Sequence, residues 1–242
     1  MEPKLQPVFS NEQVAQGTRA RTIDVAAPDA NRVLRNTYLL LALSMLPTIA
    51  GAWAGMQFNF IQLFRAAPIA TPLVMFGVMI GMLFVVTRLR NSAMGVPALF
   101  GFTFIAGLML TPILTVAGQF KNGGELIGLA GGLTAAVFFA MATIATVTKK
   151  DFSFLGKFLF VGVILLVVAS LANLFFQVPA ASLTISAIAV FIFSLYLLYD
   201  VSNIVRGGET NYITATLNLF LNVYNIFISL LNILLVFTGQ RD

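Results

Sequence analysis

Seven long apolar runs, separated by short polar stretches, dominate the chain. They cover about residues 37–57, 67–87, 97–117, 125–147, 155–176, 180–204 and 213–237. An α-helix rises about 1.5 Å per residue, so about 20 apolar residues cross a hydrocarbon core of about 30 Å. Membrane strands need only about ten residues, with alternating character, and these runs do not alternate. The pattern predicts an all-α integral membrane protein with seven transmembrane helices, folded as one domain over residues 37–242. Residues 1–36 are different. They hold five basic and four acidic residues together with Pro3, Pro7 and Pro28, and are expected to form a polar cytosolic tail.

Composition sharpens this picture. Hydrophobic residues make up 59% of the chain and charged residues only 10%, with a mean hydropathy of +0.93. Soluble domains carry about 25% charged residues, so the lipid bilayer is the first partner. The chain has no cysteine and no histidine. Disulfides, thiol chemistry, the commonest metal ligand and the usual general base near neutrality are thereby excluded. The net charge of +5 sits in loops between apolar runs, as membrane topology requires, and no nucleic-acid partner is expected.

The basic residues also set orientation. Eleven Lys and Arg residues fall on the side of the N-terminus, including Arg88, Arg90, Lys149, Lys150, Lys157 and Arg206. Three, Arg65, Lys121 and Arg241, fall on the other. The expected topology places the N-terminus in the cytoplasm and the C-terminus outside.

The sharpest chemical signals lie in the last two runs. Asp200 is the one carboxylate set deep in an apolar run. The seventh run carries Asn218, Asn222, Asn225, Ser229 and Asn232 at spacings of four, three, four and three. On a 3.6-residue helix these five form one stripe. Two readings of Asp200 stand open. It is a proton- or ion-sensitive gate, or a helix-end residue facing water or a loop. Arg35 and Arg88 are the same-side candidates for a partner cation. The stripe is either interhelical glue or the lining of a polar path beside Asp200, with Asn222 its first candidate.

Other features carry less chemistry. Gly51/Gly55, Gly77/Gly81, Gly124/Gly128 and Gly128/Gly132 have the small-residue spacing of closely packed membrane helices. Pro47 and Pro112 lie inside apolar runs as potential kinks. Thr87, Arg88, Ser92 and Gly95 recur 61 positions later as Thr148, Lys149, Ser153 and Gly156, a faint echo of a repeated hairpin. Gly207 and Gly208 suit a tight turn, and Glu125 suits a helix N-terminus. With no nucleophile–base pair, no metal cluster and no pair of intramembrane carboxylates in the pattern, neither an enzyme nor a cofactor is expected.

Several stretches carry a resemblance. VLRNTYLLLALS (33–44), TKKDFSFLG (148–156), SNIVRGGETNYITAT (202–216) and NVYNIFISLL (222–231) resemble the Bax inhibitor-1 family and its bacterial YccA-like branch, from about Arg32 to Phe237. The resemblance implies a seven-helix bundle with the last helix at its centre. It implies two activities. Some members look like pH-sensitive calcium leaks gated by two facing aspartates. Asp200 falls on the first of those positions, but Asn222 replaces the second. Two carboxylates can share a proton as a coupled pair; a carboxylate and an amide cannot. The YccA-like branch instead implies an inner-membrane protein that binds and modulates the membrane-anchored AAA protease FtsH, with the 1–36 tail as a grip. The alternative is a calcium or proton-sensitive leak with Asp200 as sensor.

Overall fold

The computed structural model describes residues 26–148 and 150–239. Nine helices are present among them: α1 (Ala26–Gln57), α2 (Ile61–Ala66), α3 (Ala70–Leu89), α4 (Gly95–Met109), α5 (Thr111–Ala117), α6 (Gly123–Thr148), α7 (Leu155–Phe176), α8 (Pro179–Val205) and α9 (Tyr212–Gly239). Six of them, α1, α3, α6, α7, α8 and α9, are each long and apolar enough to cross a bilayer. The protein is an all-α, multi-pass membrane protein.

The third apolar run is a broken helix. It divides at Leu110 into α4 and α5, which meet at 40°. Counted together they supply a seventh span. Pro112 explains the break, because it has no N–H to donate back to Leu108. The Thr111 hydroxyl donates to the Leu108 carbonyl instead, at 2.7 Å. Pro47 has a milder outcome, since α1 continues through it as one helix. α1 also starts at Ala26, so it takes in residues 26–36 of the stretch expected as tail. Residues 1–25 lie outside the described residues.

α9 is the centre of the bundle. From Ile213 to Val236 none of its residues is exposed. It packs on α8, α6 and α1, and more lightly on α4 and α5. Its core partners include Phe102, which sits edge-on to Phe220 with ring centroids 6.0 Å apart. The Tyr224 hydroxyl donates to the Ala106 carbonyl at 2.9 Å. By contrast α3 buries only Met79 and Val86, and α7 only Leu159 and Leu166. The remaining apolar surface of α3 and α7 is what a lipid solvent would cover.

Glycine spacing separates real contacts from coincidence. α1 and α4 cross closely, because a Cβ on Gly107 would collide with the Thr48 carbonyl oxygen, and one on Gly51 with that of Phe104. Gly55 meets the Thr111 side chain. The other predicted pairs, Gly77/Gly81 and Gly124/Gly128/Gly132, have open space where their Cβ atoms would be. The repeated hairpin is not packed alike in its two copies. α3 packs on α4, whereas α7 rests on α8.

Candidate functional site

The α8–α9 contact brings the two candidate gate residues together. Asn222 Nδ2 donates to Asp200 Oδ2 at 2.6 Å, and both side chains are buried, at 4% and 8% exposure. Asp200 lies five residues from the end of α8, about 8 Å along the axis. The helix-end reading, with the carboxylate facing water or a loop, is therefore set aside. An uncharged donor is its hydrogen-bonded partner.

Arg35 and Arg88 do not serve as its cation. Both are exposed while Asp200 is buried. The ion pair found among the described residues is a different one, Arg206 with Asp151 at 2.9 Å. The physical reason is position in the bundle. Arg88 stands in the last turn of α3 and Arg35 on an exposed face of α1, whereas Asp200 lies inside the bundle.

The stripe on α9 is divided in its roles. Asn232 Nδ2 donates to Ser186 Oγ at 2.8 Å and to Ser182 Oγ at 3.1 Å, a bond between helices. Asn225 Nδ2 donates to the Leu221 carbonyl of its own helix at 2.8 Å. Asn218 is half-buried and Ser229 buried. Ser182, Ser186, Ala189, Phe193 and Asp200 fall on one face of α8 by the same periodicity. A polar seam thus runs between α8 and α9, from the Asp200–Asn222 bond at one end to Asn232 at the other.

A cleft of about 770 Å³ opens on this seam. Asn225, Ser229 and Asn232 form its floor, with α3 and α7 as its walls. Phe193 on α8 and Asn225 on α9 are its lining residues nearest in sequence to Asp200 and Asn222. The cleft lies between α7, which leans on α8, and α3, which leans on α4.

At the Asp200 end, two of the sequence stretches meet. The Ser202 hydroxyl donates to the Lys150 carbonyl at 3.1 Å, and Arg206 pairs with Asp151. The Ser153 side chain and backbone donate to the Asp151 carboxylate, and with the nearby Arg206 guanidinium they hold its pKa below the ordinary aspartate value. Asn211 binds a third loop. Its amide donates to Asn91 Oδ1 at 2.8 Å and to the Arg90 carbonyl at 3.2 Å, while its oxygen caps α9 by accepting from the Ile213 and Thr214 N–H groups. Gly207 allows this turn through its φ of +75°. Sequence reasoning missed Asp151, Arg206 and Asn211, which look like ordinary loop residues, and Ser202, a lone hydroxyl near the end of the sixth run. It also missed Ser182 and Ser186, although their four-residue spacing on the sixth run was a usable signal.

Among the described residues no cluster of three or more acids could hold a metal ion. The arrangement supplies one buried carboxylate, one amide donor and a polar-floored cleft.

The family model for the inhibitor of apoptosis-promoting Bax1 matches residues 30–239. The chain belongs to the Bax inhibitor-1 family. A Neisseria meningitidis member of unknown role is 42% identical over 212 residues, covering 87% of this chain and 93% of the relative. A Vibrio cholerae membrane protein is 41% identical, over 85% of this chain and 90% of its own length. An Escherichia coli K12 relative named as the modulator of FtsH protease, YccA, is 40% identical, over 84% of this chain and 90% of its own. The Bax inhibitor-1 match spans every helix from α1 to α9, so the family's extent coincides with the bundle.

Proposed function

We propose that this protein is a non-enzymatic inner-membrane component that binds and modulates an FtsH-type membrane-anchored protease. The observation that carries the reading is the 40% identity, across most of both chains, to a relative named as a modulator of that protease. The inner membrane as location is supported by a relative with that name. The asymmetry of basic residues supports a cytoplasmic N-terminus, which puts residues 1–25 where a cytosolic protease domain can grip them. The test is co-purification of the tagged full chain with the protease, together with its turnover rate, for wild type and for a variant lacking residues 1–25. Loss of association or slower turnover supports the grip. Unchanged values for both remove the role of the tail. Absence of wild-type association sinks the reading.

A second reading, a calcium or proton-sensitive leak with Asp200 as its sensor, is favoured by one observation. The buried Asp200–Asn222 bond lies on the same α8–α9 seam as the cleft, about one turn of α9 beyond the lining residue Asn225. Its test is calcium flux into liposomes across the neutral pH range for wild type, Asp200→Asn and Asn222→Asp. A wild-type flux altered by Asp200→Asn supports this reading. A silent wild type that gains a pH-dependent leak on Asn222→Asp means that the second carboxylate is what the leak lacks here.

A further inference from the structure

A second cleft, of about 800 Å³, lies on the opposite flank of α9 between α1 and α6. Its wall on α1 runs from Tyr38 to Ile49 and its wall on α6 from Ile127 to Thr146. Those lengths correspond to about 16 Å and about 28 Å of helix. One leaflet of a bilayer has about 15 Å of hydrocarbon depth, so the cleft accommodates a chain that fills a leaflet. Its lining is apolar, apart from a few hydroxyls. Three of the four threonines are satisfied within their own helices: Thr48 donates to the Ser44 carbonyl, Thr134 to that of Ala130 and Thr146 to that of Ala142, while Thr143 is exposed. Tyr38 is the exception. Its ring packs edge-on against Phe138, and its buried hydroxyl has no hydrogen-bond partner among the described residues.

The α6 charge nearest the Ile127 end is the acid Glu125, whereas bases flank the other end. Arg35 precedes Tyr38 by three residues and continues the cleft-facing stripe of α1. Lys150 follows α6 by two residues, just past Thr146. Both are exposed. Two cations therefore flank one end of an apolar slot, one turn beyond Tyr38 and Thr146. That order of groups complements phosphate and acyl chain in sequence.

We propose that the α1–α6 cleft binds one anionic glycerophospholipid from the leaflet facing the Arg35 end. Arg35 and Lys150 hold the phosphate, and an acyl chain lies in the cleft against α9. The site is separate from the polar seam and does not depend on the protease or leak readings.

The test is native mass spectrometry of the full-length protein in mild detergent, titrated with dioleoyl-phosphatidylglycerol or dioleoyl-phosphatidylcholine. A basic residue beside an anionic lipid strengthens binding about fivefold, so the pair gives roughly a twenty-five-fold preference for phosphatidylglycerol. Arg35→Gln with Lys150→Gln removes that preference and leaves the weaker zwitterionic adduct. Gly131 lines the cleft and has open space where its Cβ would be. Gly131→Leu therefore fills the slot without striking the backbone, and is expected to abolish both adducts while keeping its melting temperature. Equal retention of the two lipids, an adduct that survives Gly131→Leu, or a dimer mass in place of a lipid adduct each overturns the proposal.

Discussion

Asn222 donates to Asp200 across the α8–α9 interface at 2.6 Å, with both side chains buried. A buried hydrogen bond is worth more as a penalty when broken than as a gain when made. Asn222→Leu strands the carboxylate and is expected to cost about 1–3 kcal/mol. Asp200→Leu combined with Asn222→Leu removes both partners, and should recover most of that loss. Melting temperatures of the four proteins in one detergent measure the coupling. A double variant no more stable than Asn222→Leu alone would contradict it.

Gly107 and Gly128 make opposite predictions from the same residue type. Gly107→Ala drives a methyl group into the Thr48 carbonyl and forces α1 and α4 apart. A loss of about 1–3 kcal/mol is expected, the usual range for overpacking. Gly128→Ala meets open space and should be neutral or slightly stabilising, since alanine is the better helix former. Thermal denaturation of the two variants side by side decides between packing and mere composition.

Asp151 gives a pH dependence with a definite sign. Its folded-state pKa is lowered by the Ser153 hydrogen bonds and by Arg206. A depressed carboxylate pKa adds stability above its unfolded value, near 3.9. That stability is lost as pH falls through the lower folded value. The difference in melting temperature between wild type and Asp151→Asn should be present at neutral pH and vanish in strong acid. A difference that grows on acidification would reverse the assignment.

Thr111 and Asn232 test polar bonds inside the bilayer. Thr111→Val leaves the Leu108 carbonyl without the hydroxyl that stands in for Pro112, at an expected cost of about 1 kcal/mol. Asn232→Leu breaks two bonds to α8. Membrane double-mutant cycles average about 0.6 kcal/mol per bond, so a similar total loss of about 1 kcal/mol is expected. Unfolding of both variants in mixed micelles provides the measurement.

These residues also show what a one-dimensional reading can reach. The length of the apolar runs is a local property, and it located the spans, with the break at Pro112 as the chief departure. The stripe on the last run was equally local. It pointed to Asn222, whose bond to Asp200 the structure forms. Partner choice is not local. Asn225 turns back to its own helix, Asn232 finds two serines on α8, and Arg35 and Arg88 are exposed away from Asp200. Gly51 and Gly77 open the same four-residue pattern, yet only Gly51 faces another backbone. The Asp151–Arg206 pair joins loops 55 positions apart, and nothing in either loop announces the other.

The helix that every other major element leans on, directly or through a neighbour, follows all of them in chain order. During synthesis, α1 to α8 enter the bilayer before α9 exists to fill the space they enclose. Until then Asp200 lacks Asn222, Ser182 and Ser186 lack Asn232, and the inner faces of α1, α6 and α8 lack their common neighbour. The contacts that close the bundle therefore all depend on the last helix to be made. A chain interrupted before Tyr212 would lack every one of them, whereas a chain that has passed Asn232 holds all of these partners.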